Sequence, residues 1–227
     1  MDDPEPRRGR VHDAEGARRA ILDAAEEVFA EHGFDGARVD AIAATAGYNK
    51  SLIFQYFGDK LNLYAEVLKR ADRDLNQFQA QMFTRLLEDD TIISDARQFR
   101  ALFTTIIQGI FDYLLGHPRL VRMILWEVAE GWQTYAKILA QLTTDDIGQF
   151  ELLFQKAHRA GLLRSDFNPV AQLSQIIQIC ISYMSWLPIY QMLAPGEDFS
   201  SDHARAQARE YIVATAVAGI LRDVPEA

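Results

Sequence analysis

AIAATAGYNKSLIFQYFGDK, residues 41–60, carries two short runs of apolar periodicity on either side of Gly47. Ile42, Ala43 and Ala46 recur at helical spacing before the glycine, with Val39 just upstream, and Ile53 and Phe57 recur after it. Gly47 supplies a positive φ without a Cβ penalty, so the chain can turn sharply there. Ala43, four residues earlier, is small where a crossing helix must pass close. The spacing predicts helices over 38–46 and 49–57 joined as a helix-turn-helix, an arrangement that can set its second helix in the major groove of DNA. Asn49, Lys50, Ser51 and Gln55 then face the groove as polar groups able to bond base edges, each good contact discriminating by about 1–3 kcal/mol. Lys60 stands in the first turn of the next helix, where a cation opposes the helix dipole at a cost of about 0.3–1 kcal/mol. A phosphate docked at that helix end reverses the sign, and Tyr56 can donate a second phosphate bond.

Upstream, Ile21, Ala24, Ala25, Val28 and Phe29 form one apolar face of a helix beginning near Ala14. Gly33 ends it, Phe34 packs back, and Asp35-Gly36 turns the chain. Residues 1–13, with Pro4, Pro6 and Gly9, read as a disordered arm whose Arg7, Arg8 and Arg10 are either a solvated tail or a minor-groove contact. Downstream of Gly58, Asp59 can cap a long helix through Tyr64, Val67, Leu68 and Ala71. Further helices are expected over 78–88, 96–115, 118–140, 144–160, 168–190 and 202–221, punctuated by Gly116-His117-Pro118, Gly161, Asn168-Pro169 and Ala194-Pro195-Gly196. No strand alternation appears, so the fold class is all-α: an N-terminal three-helix domain over 14–62 and a larger C-terminal helical domain over 63–227.

The 227 residues carry a net charge of −9, and residues 1–60 hold eight Lys/Arg against twelve Asp/Glu. That balance weighs against nucleic acid unless the acids of the first helix face away, since charge acts over roughly 8–10 Å. Between residues 41 and 60 the sole acid is Asp59, against Lys50 and Lys60. The single Cys180 lies in an apolar run and reads as a core residue in a reducing compartment. The amino terminus has no apolar core of a signal peptide, and no run of about 18 apolar residues suggests a membrane span, so a cytoplasmic protein is expected. The five histidines never stand at metal-ligand spacing, and no nucleophile elbow, phosphate loop or dinucleotide fingerprint occurs. No metal, cofactor or catalysis is expected.

Residues 18–64, RRAILDAAEEVFAEHGFDGARVDAIAATAGYNKSLIFQYFGDKLNLY, resemble the DNA-binding region of the TetR family of bacterial transcriptional regulators. The AAEEVFAEHGFDG block, IA-x-x-AG and YFGDK stand in order and at that family's distances, over about a fifth of the chain. The resemblance implies a homodimeric repressor released from operator double-stranded DNA when a small-molecule effector enters the larger helical domain. By position it implies base contacts from Lys50 and Ser51 and phosphate contacts from Tyr56 and Lys60. Arg38 falls where the family usually has threonine, and can still hold a phosphate. Tyr48 replaces a small aliphatic residue and can reach the backbone; Leu52 replaces threonine and suggests contact with a thymine methyl; Phe54 replaces tyrosine and removes one phosphate bond.

The last two helices carry more apolar surface than one chain needs. Leu173, Ile176, Ile177, Cys180, Tyr183, Met184 and Leu187 leave 168–190 little polar face, and 202–221 is rich in alanine. A homodimer through these two helices would cover both and set two recognition helices roughly 34–36 Å apart on a palindrome. An effector pocket is expected among Phe103, Ile107, Phe111, Met123, Trp126, Glu127, Trp132, Tyr135, Tyr183 and Trp186, suiting a mostly apolar molecule. Glu127 could select a cationic effector if buried, although its simplest reading is exposure to solvent. The acidic charge and the altered recognition residues also suit a different protein, an all-α small-molecule or protein-binding module without DNA binding.

Overall fold

The computed structural model describes residues 8–71, 95–140, 146–164 and 168–222. The helix expected over 78–88 and the first seven residues of the arm lie outside the described residues. The chain divides into two compact units, one formed by Met1–Arg73 with Pro118–Thr143, the other by Asp74–His117 with Thr144–Ala227. The expected division at residue 62 follows the chain, whereas packing carries 118–143 back to the N-terminal helices.

In the first unit, α1 spans Arg8–Gly36, so a helix begins six residues before Ala14 within the expected arm. Its backbone breaks at Gly33 (φ 69°, ψ 179°), where the sequence places the stop. The predicted face is buried throughout: Ile21, Ala24, Ala25, Val28 and Phe29. Helices α2 (Val39–Ala46), α3 (Lys50–Phe57) and α4 (residues 60–71) follow. Tyr64 of α4 meets Phe29 edge to face at 4.8 Å and Phe34 at 5.2 Å, which is how the chain packs back after Gly33.

The helix expected over 118–140 is two helices, α6 (Pro118–Ala129) and α7 (Gln133–Leu139), separated by Gly131 and Trp132, both with positive φ. The apolar period runs through this break, and an interior glycine is compatible with a helix, so spacing alone does not reveal it. Helix α6 joins the first unit because it lies along α1. Arg119 pairs with Glu27 at 2.8 Å, and the Trp126 indole N–H donates to the Ala30 carbonyl at 3.3 Å. The Trp126 ring sits where a Cβ on Gly33 would meet it at 3.0 Å. Trp126, expected in a pocket, therefore seats α6 on α1.

The second unit contains α5 (Ala96–Gly116), α8 (Asp146–Arg159), α9 (Pro169–Leu193) and α10 (Asp202–Ile220). Asp95 caps α5 by accepting from the amides of Arg97 and Gln98. Phe103, Ile107, Ile110 and Phe111 of α5 and Ile176, Cys180 and Ile181 of α9 are buried, and Cys180 is a core thiol whose pKa burial pushes up to about 12. Among the described residues the only bridge of strand type links Leu163 to Leu221, tying the segment after α8 to the end of α10. The search for an uninterrupted apolar run misses one feature: Ala171–Leu193, mean hydropathy 1.3, is long and apolar enough by length and composition to cross a membrane. Gln172, Gln175, Gln178 and Ser182 interrupt that segment, and it packs against α5 and α10.

Gly33→Ala tests the seat of α6. A left-handed φ costs an ordinary residue about 1–2 kcal/mol, and the added methyl meets the Trp126 ring. The variant is expected to unfold at lower temperature by circular dichroism; unchanged melting would mean that the ring is not seated there.

Candidate nucleic-acid interface

Helix α2 ends where Gly47 turns left-handed (φ 74°, ψ 22°), with its N–H bonded to Ala44 O at 3.3 Å and the Tyr48 N–H to Ala43 O at 3.1 Å. These bonds satisfy carbonyls left open at the helix end and fix the angle at which α3 departs. Ile42, Ala43, Ile53 and Phe57 are buried between the helices, as the pattern requires, while Ala46 is half-buried. The far end of α3 is held by Arg18 of α1, whose guanidinium lies 5.2 Å from the Phe57 ring centre and pairs with Glu66 of α4. That clamp joins residues almost fifty apart, so local periodicity gives no sign of it.

With Ile53 and Phe57 committed inward, α3 exposes Lys50, Ser51, Phe54 and Gln55 on one side. Arg38 and Asn49 are also exposed, and Tyr48, Leu52, Tyr56 and Lys60 are half-buried. Asn49 has an additional role that the groove reading missed: its Oδ1 accepts the Leu52 amide at 2.8 Å and caps α3. Asparagine at that position is itself a capping signal, legible in the sequence. Lys50 bonds Asp40 of α2 at 3.0 Å and lies 6.0 Å from the Phe54 ring centre. The pair is exposed on both sides, so it adds little stability and yields readily to a stronger anion.

Lys60 is not an isolated cation at a helix start. Its Nζ donates to the Asp35 carbonyl at 3.3 Å and lies 4.6 Å from the Phe34 ring centre. Burial lowers its pKa, against the charges of Asp35 and Glu130, which raise it. Asp59 caps α4 as the sequence indicates, accepting the Asn62 amide at 2.7 Å. Tyr56 borders a polar cleft of about 380 Å³ shared with Arg18, Asn62 and Lys69. Three acids of α1 turn elsewhere: Asp23 and Glu26 pair with Arg70 of α4, and Glu27 with Arg119 of α6, while Asp35 acts on Lys60. The exposed side of α3 therefore carries Lys50 and polar groups without an acid of its own.

The ten residues expected around an effector fall in both units. Met123, Trp126, Glu127, Trp132 and Tyr135 belong to the first, and Phe103, Ile107, Phe111, Tyr183 and Trp186 to the second. In the second, Phe111 and Tyr183 meet at 5.8 Å, the Tyr183 hydroxyl donates to the Phe199 carbonyl at 2.8 Å, and Trp186 is exposed. A cleft of about 310 Å³ there is lined instead by Ile176 and Ile179 of α9 with Ala216 and Gly219 of α10. In the first unit Glu127 is 2% exposed, which overturns its expected exposure to solvent. Its carboxylate is drawn inward because Oε2 accepts the Tyr135 amide at 3.0 Å.

Removal of the Asn49 cap separates its two roles. Asn49→Ala is expected to cost about 1 kcal/mol of stability, lower the melting temperature, and weaken DNA binding for all sequences alike. A change of preference at a single base with unchanged melting would assign Asn49 to base contact alone.

Comparison with known proteins agrees with this geometry. Residues 21–67 match the family described as bacterial regulatory proteins, tetR family, and residues 100–216, more than half the chain, match the tetracyclin repressor-like C-terminal domain. The chain is 27% identical over 178 residues to the HTH-type transcriptional repressor NicS of Pseudomonas putida, covering 78% of this chain and 79% of that one. It is 36% identical over 120 residues to the HTH-type transcriptional repressor SCO4008 of Streptomyces coelicolor, covering 53% of this chain and 54% of that one. The crystal structure of SCO4942 from Streptomyces coelicolor is similar with a TM-score of 0.58 at 29% identity, over 90% of this chain and 98% of that one. A glycine-turned helix pair with an exposed polar second helix, attached to a helical domain of this type, makes the chain a DNA-binding transcriptional regulator of the TetR family.

Proposed function

We propose that the protein is a cytoplasmic homodimeric repressor that leaves a palindromic operator when a small, mostly apolar effector binds. The observation that carries this reading is the side of α3 formed by Lys50, Ser51, Phe54 and Gln55, exposed while the rest of the helix is packed. Lys50 and Ser51 read bases; Arg38, Tyr56 and Lys60 hold phosphates. Leu52, half-buried, contributes chiefly to packing, and Phe54 offers an apolar surface to a thymine methyl.

Dimerisation is supported by what α9 and α10 leave uncovered. Trp186, Ile189, Met192 and Leu193 of α9 and Tyr211 of α10 are exposed, and Ala214, Ala218 and Gly219 form a small-residue stripe on the outer side of α10. Small residues let a second copy approach closely, and large apolar groups beside them supply area to bury. The effector acts by population shift, favouring a conformation whose two recognition helices no longer match the operator.

The DNA flanking its own gene, tested by fluorescence anisotropy across a salt series, discriminates this from a module that binds no DNA. Lys60→Ala is expected to weaken all sequences alike and lower the salt slope by about 1, whereas Lys50→Ala relaxes preference between sequences. No sequence-selective binding at low salt would reject the repressor. Ala218→Glu, placed on the exposed stripe, is expected to shift the molar mass from dimer to monomer by light scattering without loss of helicity.

A further inference from the structure

Glu127 stands in the first unit with its two carboxylate oxygens treated differently. Oε2 accepts the Tyr135 amide at 3.0 Å, while Oε1 is buried and has no donor in hydrogen-bond geometry among the described residues. A buried acceptor left unmade costs on the order of 1–3 kcal/mol, more when charged. Nearby charge deepens the imbalance: Glu130 has its pKa raised by burial and then by the charges of Asp35 and Glu127, against a single opposing cation, Lys60. Three carboxylates thus act on one neighbourhood with one lysine among them, and that lysine is bonded to the Asp35 carbonyl.

The surroundings of Glu127 are aromatic. Tyr64 is buried, and its phenol pKa is raised by burial, then by the Glu127 charge and by side-chain contact with that carboxylate, a contact that falls outside hydrogen-bond geometry. Trp132 and Tyr135 meet edge to face at 5.7 Å, and Trp132 keeps 41% of its surface exposed. Trp132 also adopts a left-handed backbone (φ 63°, ψ 20°), which costs a bulky residue about 1–2 kcal/mol. Its strained amide is bonded to the Glu127 carbonyl at 2.8 Å. Strain of this kind gathers at ligand clamps and switches. Helix α7, which carries Tyr135 and follows Trp132, is a light cover: seven residues, no side-chain cap at its start, and Gln133, Ala136, Lys137 and Leu139 facing solvent. Among the described residues no group of three His, Cys, Asp or Glu could hold a metal ion.

We propose that Glu127, Trp132 and Tyr135 form the recognition point for an organic cation, an amine or quaternary ammonium on an apolar body. The ammonium pairs with the unpartnered Oε1, and the aromatic rings receive it through their negative faces. A cation also balances the excess of carboxylates from Glu130 and Asp35, while an uncharged molecule of the same shape leaves that excess in place. This assignment rests on the reading of the chain as an effector-responsive regulator and names the chemical class of its effector.

The full chain titrated with benzyltrimethylammonium, followed by tryptophan fluorescence and calorimetry, tests it. Saturable binding is expected for the wild type, with neopentylbenzene, its uncharged isostere, at least tenfold weaker. Glu127→Gln keeps an acceptor for the Tyr135 amide and is expected to melt normally while binding the cation at least tenfold more weakly. Trp132→Ala, at an exposed and strained position, is expected to fold and to weaken binding severalfold. The proposal fails if the wild type shows no saturable binding, if the isostere binds as well as the cation, or if either variant binds unchanged. Operator binding by the same preparations without ligand is measured in parallel. Intact operator binding beside absent cation binding overturns the cation site alone; absent operator binding overturns the regulator.

Discussion

The indole of Trp126 lying on the bare backbone of Gly33 is the contact on which the first unit is organised. A glycine is needed there twice over, for its left-handed φ and for the space that a side chain would fill. Because the ring can approach, α6 lies along α1 and adds its buried Leu120, Val121 and Met123 to a core otherwise built by the first four helices. The same seating brings Glu127 beside Tyr64 and the charge of Glu130 within reach of Lys60. A helix distant in sequence thereby sets the electrostatic surroundings of a lysine next to the recognition helix.

The net charge of −9 is compatible with DNA binding because the acids are distributed by pairing rather than by mere distance. Asp23 and Glu26 share Arg70, Glu27 meets Arg119, and Glu66 receives both Arg18 and Lys69. Burial works to raise the pKa of Glu66, but the hydrogen bonds from Arg18 and Lys69 prevail and hold it below the usual glutamate range. Each pair is partly exposed and individually weak. Together they turn Asp23, Glu26 and Glu27 of α1 toward α4 and α6, so the outer side of α3 carries Lys50, polar groups and Phe54 with no acid of its own.

Much of this was legible in the sequence where the governing interactions are local. Glycines at 33, 47 and 58 all adopt positive φ, and the helices between them follow from apolar spacing. The exposed side of α3 follows from the same period, since placing Ile53 and Phe57 inward leaves Lys50, Ser51, Phe54 and Gln55 outward. What spacing could not show depends on partners remote along the chain. Glu127 is buried where Tyr64 stands beside it and the amides of Trp132 and Tyr135, past the turn at Gly131, bond to it. Trp126 looked like a pocket residue because nothing in its own helix identifies Gly33 as its seat. Asn49 was ambiguous for a different reason: a short polar side chain suits a helix cap and a base edge equally well.

The pair between Lys50 and Asp40 bears on how the protein senses ionic strength. A lysine that meets DNA from bulk solvent does so at the expense of counterions condensed on phosphate, and their release makes affinity fall as salt rises. Lys50 instead begins beside Asp40, so any turn of the lysine toward DNA leaves that carboxylate to solvent. Added salt also screens the Lys50–Asp40 pair itself, loosening the lysine as the attraction of DNA declines. The cation on the exposed side of α3 therefore has an anionic partner one helix away, and salt acts on that pair as well as on any contact with DNA.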